Sequence, residues 1–219
     1  FRQVEGRAAG RLVLGESLKS IGVKADIQEV NLVARYDRIP YPMTIDGGAV
    51  SFERRRLSVR NLSGRVGASS FSELTGGIGF EREPSIEVSS GNLGVSLEEI
   101  YAWLPAYESV RGALKNIQSV KGNVTLSGMR LKGPLGRPEK WDFQTAGELK
   151  DLIVNTSLLP EPFAVSSGKF NLYPQKITIA DFQIKFLSAA LNVSGALYDY
   201  QQGLEKGELS PFARLTFPI

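Results

Sequence analysis

The stretch "QKITIADFQIKFLSAALNVSG", residues 175–195, decides the fold class. Ile177 and Ile179 fall on one side of an extended chain; across Asp181 the phase slips by one, and Phe182, Ile184 and Phe186 take over. Leu191 and Val193 continue the pattern, with Lys, Thr, Gln, Asn and Ser between the apolar positions. Period-two alternation predicts strands with one dry and one wet face. A one-residue slip is what a β-bulge or a tight turn produces.

The same grammar runs through most of the chain. "GAVSFERRRLSVRNLSG" (residues 48–64) places Val50 and Phe52 before a charged turn and Leu57 and Val59 after it. "KGNVTLSGMRLKG" and "EKWDFQTAGELKDLIV" alternate likewise. Gly, Asn, Asp and Ser punctuate these runs at intervals of roughly 8–12 residues, the signature of an all-β chain. One segment departs from it. In "SLEEIYAWLPAYESVRGALKNI" the residues Leu97, Ile100, Tyr101 and Leu104 are spaced i, i+3, i+4, i+7, and Ser96 with Glu99 has the spacing of a capping box. Pro105 should end this helix, and Tyr107, Val110, Leu114 and Ile117 suggest a second short one.

The chain also repeats itself. "RIPYPMTIDGGAVSF" (38–52) and "LLPEPFAVSSGKFNL" (158–172) share a Pro-x-Pro and a later Gly, and Gly48 and Gly168 lie 120 positions apart. At that shift residues from about 30 to 73 pair without a gap: Leu32 with Leu152, Pro40 with Pro160, Pro42 with Pro162, Phe52 with Leu172. Leu57, Val59, Leu62 and Phe71 meet Ile177, Ile179, Phe182 and Leu191. Matching in phase over so long a stretch predicts a duplicated β unit. Residues 1–95 form the first unit, 96–118 a helical insert and 119–219 the second, together one continuous domain. The prolines should mark strand starts or an edge. The opening "FRQVEGRAAG", without Met, and the strand-like close "RLTFPI" predict a fragment of a longer chain.

Composition narrows the function classes. With 42% hydrophobic and 22% charged residues in 219, the chain can bury a core. A net charge of +3 is too thinly spread to imply nucleic acid. The absence of Cys removes disulfides and thiolate chemistry, and the absence of His removes the usual general base and the commonest metal ligand. Carboxylates occur singly, so no catalytic pair, metal site or cofactor site is expected. No apolar run approaches the ~18 residues of a membrane span. "ERRR" (53–56) could hold a lipid phosphate but reads more simply as a solvated hairpin turn, its counterpart being "YPQK". "GGIGF" (76–80) and "GPLGRPEK" (133–140) precede no helix, as a phosphate cradle would require, and read as turns.

A one-sided sheet must hide its dry face. The residues leave two ways: closure as a β-sandwich with a filled core, which suits a structural or adhesive module, or a trough that something else fills.

Several phrases resemble a known family. "GNLGVSLEEIYAWL", "LKGPLGRPEKWDFQTAGELKDLIV", "LLPEPFAVSSGKF" and "ALNVSGALYDY" are similar to the AsmA-like superfamily of bacterial envelope proteins, which includes AsmA, TamB and YhdP, over most of residues 30–200. The resemblance implies a mainly β fold, a curved, antiparallel-rich sheet folded like a taco around an apolar groove. It also implies a noncatalytic role, conducting phospholipid between inner and outer membranes, without metal or cofactor. The inner-membrane anchor of such proteins lies outside this sequence. The partners implied are phospholipid or another acyl-chain lipid, the rest of the same chain and outer-membrane assembly proteins; the place implied is the periplasm. On this reading Phe52, Leu57, Val59, Phe170, Leu172, Ile177, Ile179, Phe182, Ile184 and Phe186 line the groove. Leu97, Ile100, Tyr101, Trp103 and Leu104 plug its end.

Overall fold

Alternating segments separated by short polar turns should pair with their sequence neighbours, and they do. The computed structural model describes residues 3–14, 23–35, 40–104, 112, 114–135, 137, 140–187 and 189–198. Among these residues, eleven antiparallel strands form one open sheet in sequence order. They are β1 (Gln3–Leu14), β2 (Val23–Arg35), β3 (Met43–Glu53), β4 (Arg56–Val66), β5 (Ser69–Gly79) and β6 (Ser85–Ser96), then β7 (Ile117–Pro134), β8 (Asp142–Thr156), β9 (Phe163–Tyr173), β10 (Lys176–Phe186) and β11 (Ala189–Tyr198). One short helix, α1 (Leu97–Trp103), precedes β7. The chain divides into two compact units: Phe1–Leu93 with Gly128–Asp142, and Gly94–Ser127 with Phe143–Ile219.

The phase slip at Asp181 is a bulge. The β10–β11 register shifts between Ile179 and Phe182, and Asp181 has a φ of 54°. Inserting one residue keeps Phe182 on the face that Ile179 occupies, which is why the apolar pattern resumes out of phase. The device recurs. Glu29 in β2, Asn61 in β4, Glu73 in β5 and Asp151 in β8 all have φ between 50° and 56°. Neighbouring strands satisfy the displaced groups. The Asn61 N–H donates to Thr75 Oγ1 at 3.1 Å and the Asp181 N–H to Ser194 Oγ at 3.0 Å. Asn92 donates to the Glu73 carboxylate at 2.9 Å and accepts from the Gly128 N–H at 3.2 Å. Bulges bend and twist a strand locally.

Strand limits and registers coincide at the shift of 120. β3 and β9, and likewise β4 and β10, begin and end at positions 120 apart. Within the first unit Ala25 faces Phe52, Phe52 faces Leu57, and Leu32 faces Ile45. Within the second, Thr145 faces Leu172, Leu172 faces Ile177, and Leu152 faces Val165. The correspondence ends in part at Glu73, whose bulge has no match at Val193: Leu62 faces Leu74, whereas Phe182 faces Val193. Pro40 and Pro160 sit in the bends before β3 and β9, and Pro42 and Pro162 immediately precede those strands. There a missing N–H leaves the ladder intact.

Some local expectations need correction. Gly76, Gly77 and Gly79 lie in β5, not in a turn. A Cβ on Gly76 would stand 2.2 Å from the Glu87 carbonyl oxygen, so the glycine serves close strand approach. Ser96 does occupy the N-cap of α1 with an extended backbone, but its side chain makes no cap hydrogen bond. The β3–β4 turn is charged as expected, yet Arg54 and Arg55 adopt φ of 48° and 64°. Such two-residue turns favour Asn-Gly, for which the left-handed region costs least. The double replacement Arg54→Asn/Arg55→Gly should therefore raise thermal stability, by about 1–2 kcal/mol, measured by denaturant titration; a loss would mean the arginines stabilise the turn. Pro105, Tyr107 and Val110 lie outside the described residues, as does the C-terminal "RLTFPI"; Ile117, expected in a second helix, instead opens β7.

Candidate functional site

Residues directly opposite one another in an antiparallel pair share a face, so the registers define the apolar surface of each unit. In the first unit one row runs Ala25, Phe52, Leu57, Ile78 and the next Ile27, Val50, Val59, Gly76. Beyond the bulges the same face continues through Leu32, Ile45, Gly64 and Phe71. In the second unit the rows are Thr145, Leu172, Ile177, Leu197, and Gly147, Phe170, Ile179, Gly195. Past the bulges follow Leu152, Val165, Ile184 and Leu191. The intervening positions, such as Ser51, Ser58, Lys169, Asn171, Gln183 and Lys185, form the wet face.

The ten residues expected to line a groove fall on these faces. Phe52, Leu57 and Val59 share the apolar face of the first unit. Phe170, Leu172, Ile177, Ile179, Phe182, Ile184 and Phe186 share that of the second. All ten are half-buried. Reading the strands singly missed Leu62, Leu149, Phe163 and Val165. The signal was present in "PFAVSSGKFNLY", whose phase slips across Ser166–Ser167 as it does across Asp181.

These faces lack the packing of a closed core. Among the described residues the buried apolar side chains are Val30, Ala34, Leu62, Met129, Leu149, Val165 and Ala196. Leu191, at the β11 edge, remains 56% exposed. Sheet-on-sheet packing would bury the inward residues of every strand. Thr145, the buried polar residue in an apolar row, donates its hydroxyl to the Ser127 carbonyl at 3.1 Å. On the same face, ideal Cβ atoms on Gly147 and Gly168 would stand 2.1 and 2.4 Å from the rings of Phe170 and Phe182. The phenyl rings thus lie down over the glycines, covering backbone and leaving a shallow aromatic floor.

α1 belongs to the second unit. Leu97, Ile100, Tyr101 and Leu104 are half-buried, and the Tyr101 hydroxyl donates to the Ile117 carbonyl at the start of β7. The Trp103 side chain lies outside the described residues. The segment entering β7 is fixed in turn: the Asn116 carbonyl accepts from Thr156 Oγ1 at 2.7 Å and from the Ser157 N–H at 2.9 Å. α1 is thereby tied to the end of the sheet where β7 begins and β8 ends. Tyr101→Phe should lower stability by about 1 kcal/mol and loosen α1, seen as faster amide exchange at Ile100 and Leu104. Unchanged exchange there would mean that apolar contacts alone hold the helix.

Among the described residues no three His, Cys, Asp or Glu side chains gather as a metal site, and no helix is long and apolar enough to cross a membrane. No family model, curated protein or solved structure matches the chain.

Proposed function

We propose that this chain is a noncatalytic segment of an AsmA-like envelope protein, in which a duplicated β unit presents an apolar groove to lipid acyl chains. The observation that carries this reading is the state of the apolar faces. Each extends over four or more strands, yet its Phe, Ile and Leu side chains are only half-buried. Fully burying such a side chain is worth roughly 1.5–3 kcal/mol, so a face of this size gains substantially when covered. Acyl chains cover it without requiring polar partners. The coincidence of registers at the shift of 120 supports duplication, and the lines of bulges support a curved, taco-like sheet. In this role the segment sits in the periplasm within an inner-membrane-anchored protein and passes phospholipid toward outer-membrane assembly proteins. α1 closes one end of the groove.

The test is uptake of a fluorescent fatty acid by protein prepared without detergent, together with organic extraction of protein purified directly from cells. Saturable uptake and stoichiometric phospholipid support the reading. Lipid-free protein that takes up no probe contradicts it, and is the result a packed structural or adhesive module would give.

A further inference from the structure

The wet face of the first unit holds a cavity of about 440 Å³, within the roughly 300–1,000 Å³ range of small-ligand sites. Its position follows from the registers. Asp26, Ser51 and Ser58 form one cross-strand row, and Ala49 faces Arg60 in the next. All five line the cavity. They alternate with Ile27, Val50 and Val59, which line the cavity too and whose registers place their side chains on the apolar face. The space exists because the centre of this patch carries short side chains, Ala49, Ser51 and Ser58, between longer ones. Next to Ser58 stands Gly77, where a Cβ would come within 3.4 Å of Arg56 Nε. Arg56 pairs with Glu87 at 3.0 Å.

The charges are arranged by sign. Arg56 and Glu87 neutralise one another along one wall. Asp26 on β2 and Arg60 on β4 have no ion pair among the described residues. Asp26 and Ser58 are separated by two strand spacings, and Arg60 lies two residues beyond, so the Cα atoms of Asp26 and Arg60 are roughly 12 Å apart. Both residues line the cavity, as do Ser51 and Ser58 with their hydroxyl groups. A simple anion would meet the carboxylates of Asp26 and Glu87, and a simple cation the guanidinium groups of Arg56 and Arg60. A neutral sugar would leave both unpaired charges unused.

We propose that this cavity binds a small zwitterion of the peptide type. Its ammonium group lies against Asp26, its carboxylate against Arg60, and its amide groups against the Ser51 and Ser58 hydroxyls. The site is on the opposite face from the acyl-binding surface and does not depend on it.

The experiment is amide-shift mapping of the isotope-labelled full chain with triglycine, N-acetyl-triglycine, triglycine amide, glucose and inorganic phosphate. Triglycine should move the amides of Asp26, Ser51, Ser58 and Arg60 saturably. Each blocked peptide should bind roughly tenfold more weakly or worse, the loss of one charged hydrogen-bonded contact. Asp26→Asn should abolish the discrimination between triglycine and its acetylated form, and Arg60→Gln that between triglycine and its amide. Both residues are exposed, so an unaltered spectrum elsewhere is expected of each variant. Equal binding of free and blocked peptides overturns the proposal, as does no response to triglycine at millimolar concentration. Saturable phosphate or glucose binding in place of triglycine assigns the cavity to an anion or a sugar and also overturns it.

Discussion

Val165→Asp is expected to unfold the second unit. Val165 is 2% exposed and is the largest fully buried side chain among the described residues. It faces Leu152 on β8 and Ile184 on β10, so a carboxylate there would be enclosed by apolar neighbours with no cation opposite. Burying an unpaired charge at such a position costs on the order of 4 kcal/mol or more, against a total domain stability of about 5–15 kcal/mol. Circular dichroism and the loss of dispersed amide signals from β8 to β10 read the outcome. A folded variant with a small shift in melting temperature would mean that this part of the face can open to water without penalty.

Ile184→Asp, one strand away in the same row, should behave in the opposite way. Ile184 is half-buried and β10 is paired on both sides, so its ladder does not depend on the side chain. The substitution should cost about 1–2 kcal/mol of stability and leave the sheet folded. Acyl binding should fall at least about tenfold, because a charge would stand where a chain lies and the lost contact is worth roughly 1.5 kcal/mol or more. The pair is diagnostic. A sandwich core would make both substitutions destructive; a lipid-facing surface makes one destructive and the other selective for binding. Unchanged probe uptake in folded Ile184→Asp would remove this residue from the acyl site.

Much of the fold was legible because the alternation is strict and the deviations are single-residue slips. Asp181 announced its bulge by moving the apolar phase from Ile179 to Phe182, and the structure places a positive φ at that residue. The prolines at 42 and 162 marked strand starts because a residue without an N–H is tolerated where the ladder begins. The glycines of β5 were misread as a turn because glycine composition alone does not separate a reversal from a close strand approach; only the neighbour at Glu87 distinguishes them. Ser96 and Glu99 carried the spacing of a capping box, but spacing does not fix the rotamer that makes the bond. The wet-face cavity was invisible to sequence. Asp26, Ser51, Ser58 and Arg60 come together only through the registers of three strands, and each alone is an ordinary solvent-facing residue.

The central claim is that acyl chains lie on the apolar face. Photo-crosslinking with a phospholipid carrying a diazirine in its acyl chain, followed by peptide mass spectrometry, addresses it most directly. The account predicts adducts on Phe170, Ile179, Phe182 and Ile184, and their suppression by excess unlabelled phospholipid. Adducts confined to wet-face positions such as Lys169, Asn171 and Lys185, or no suppressible adducts at all, would contradict it.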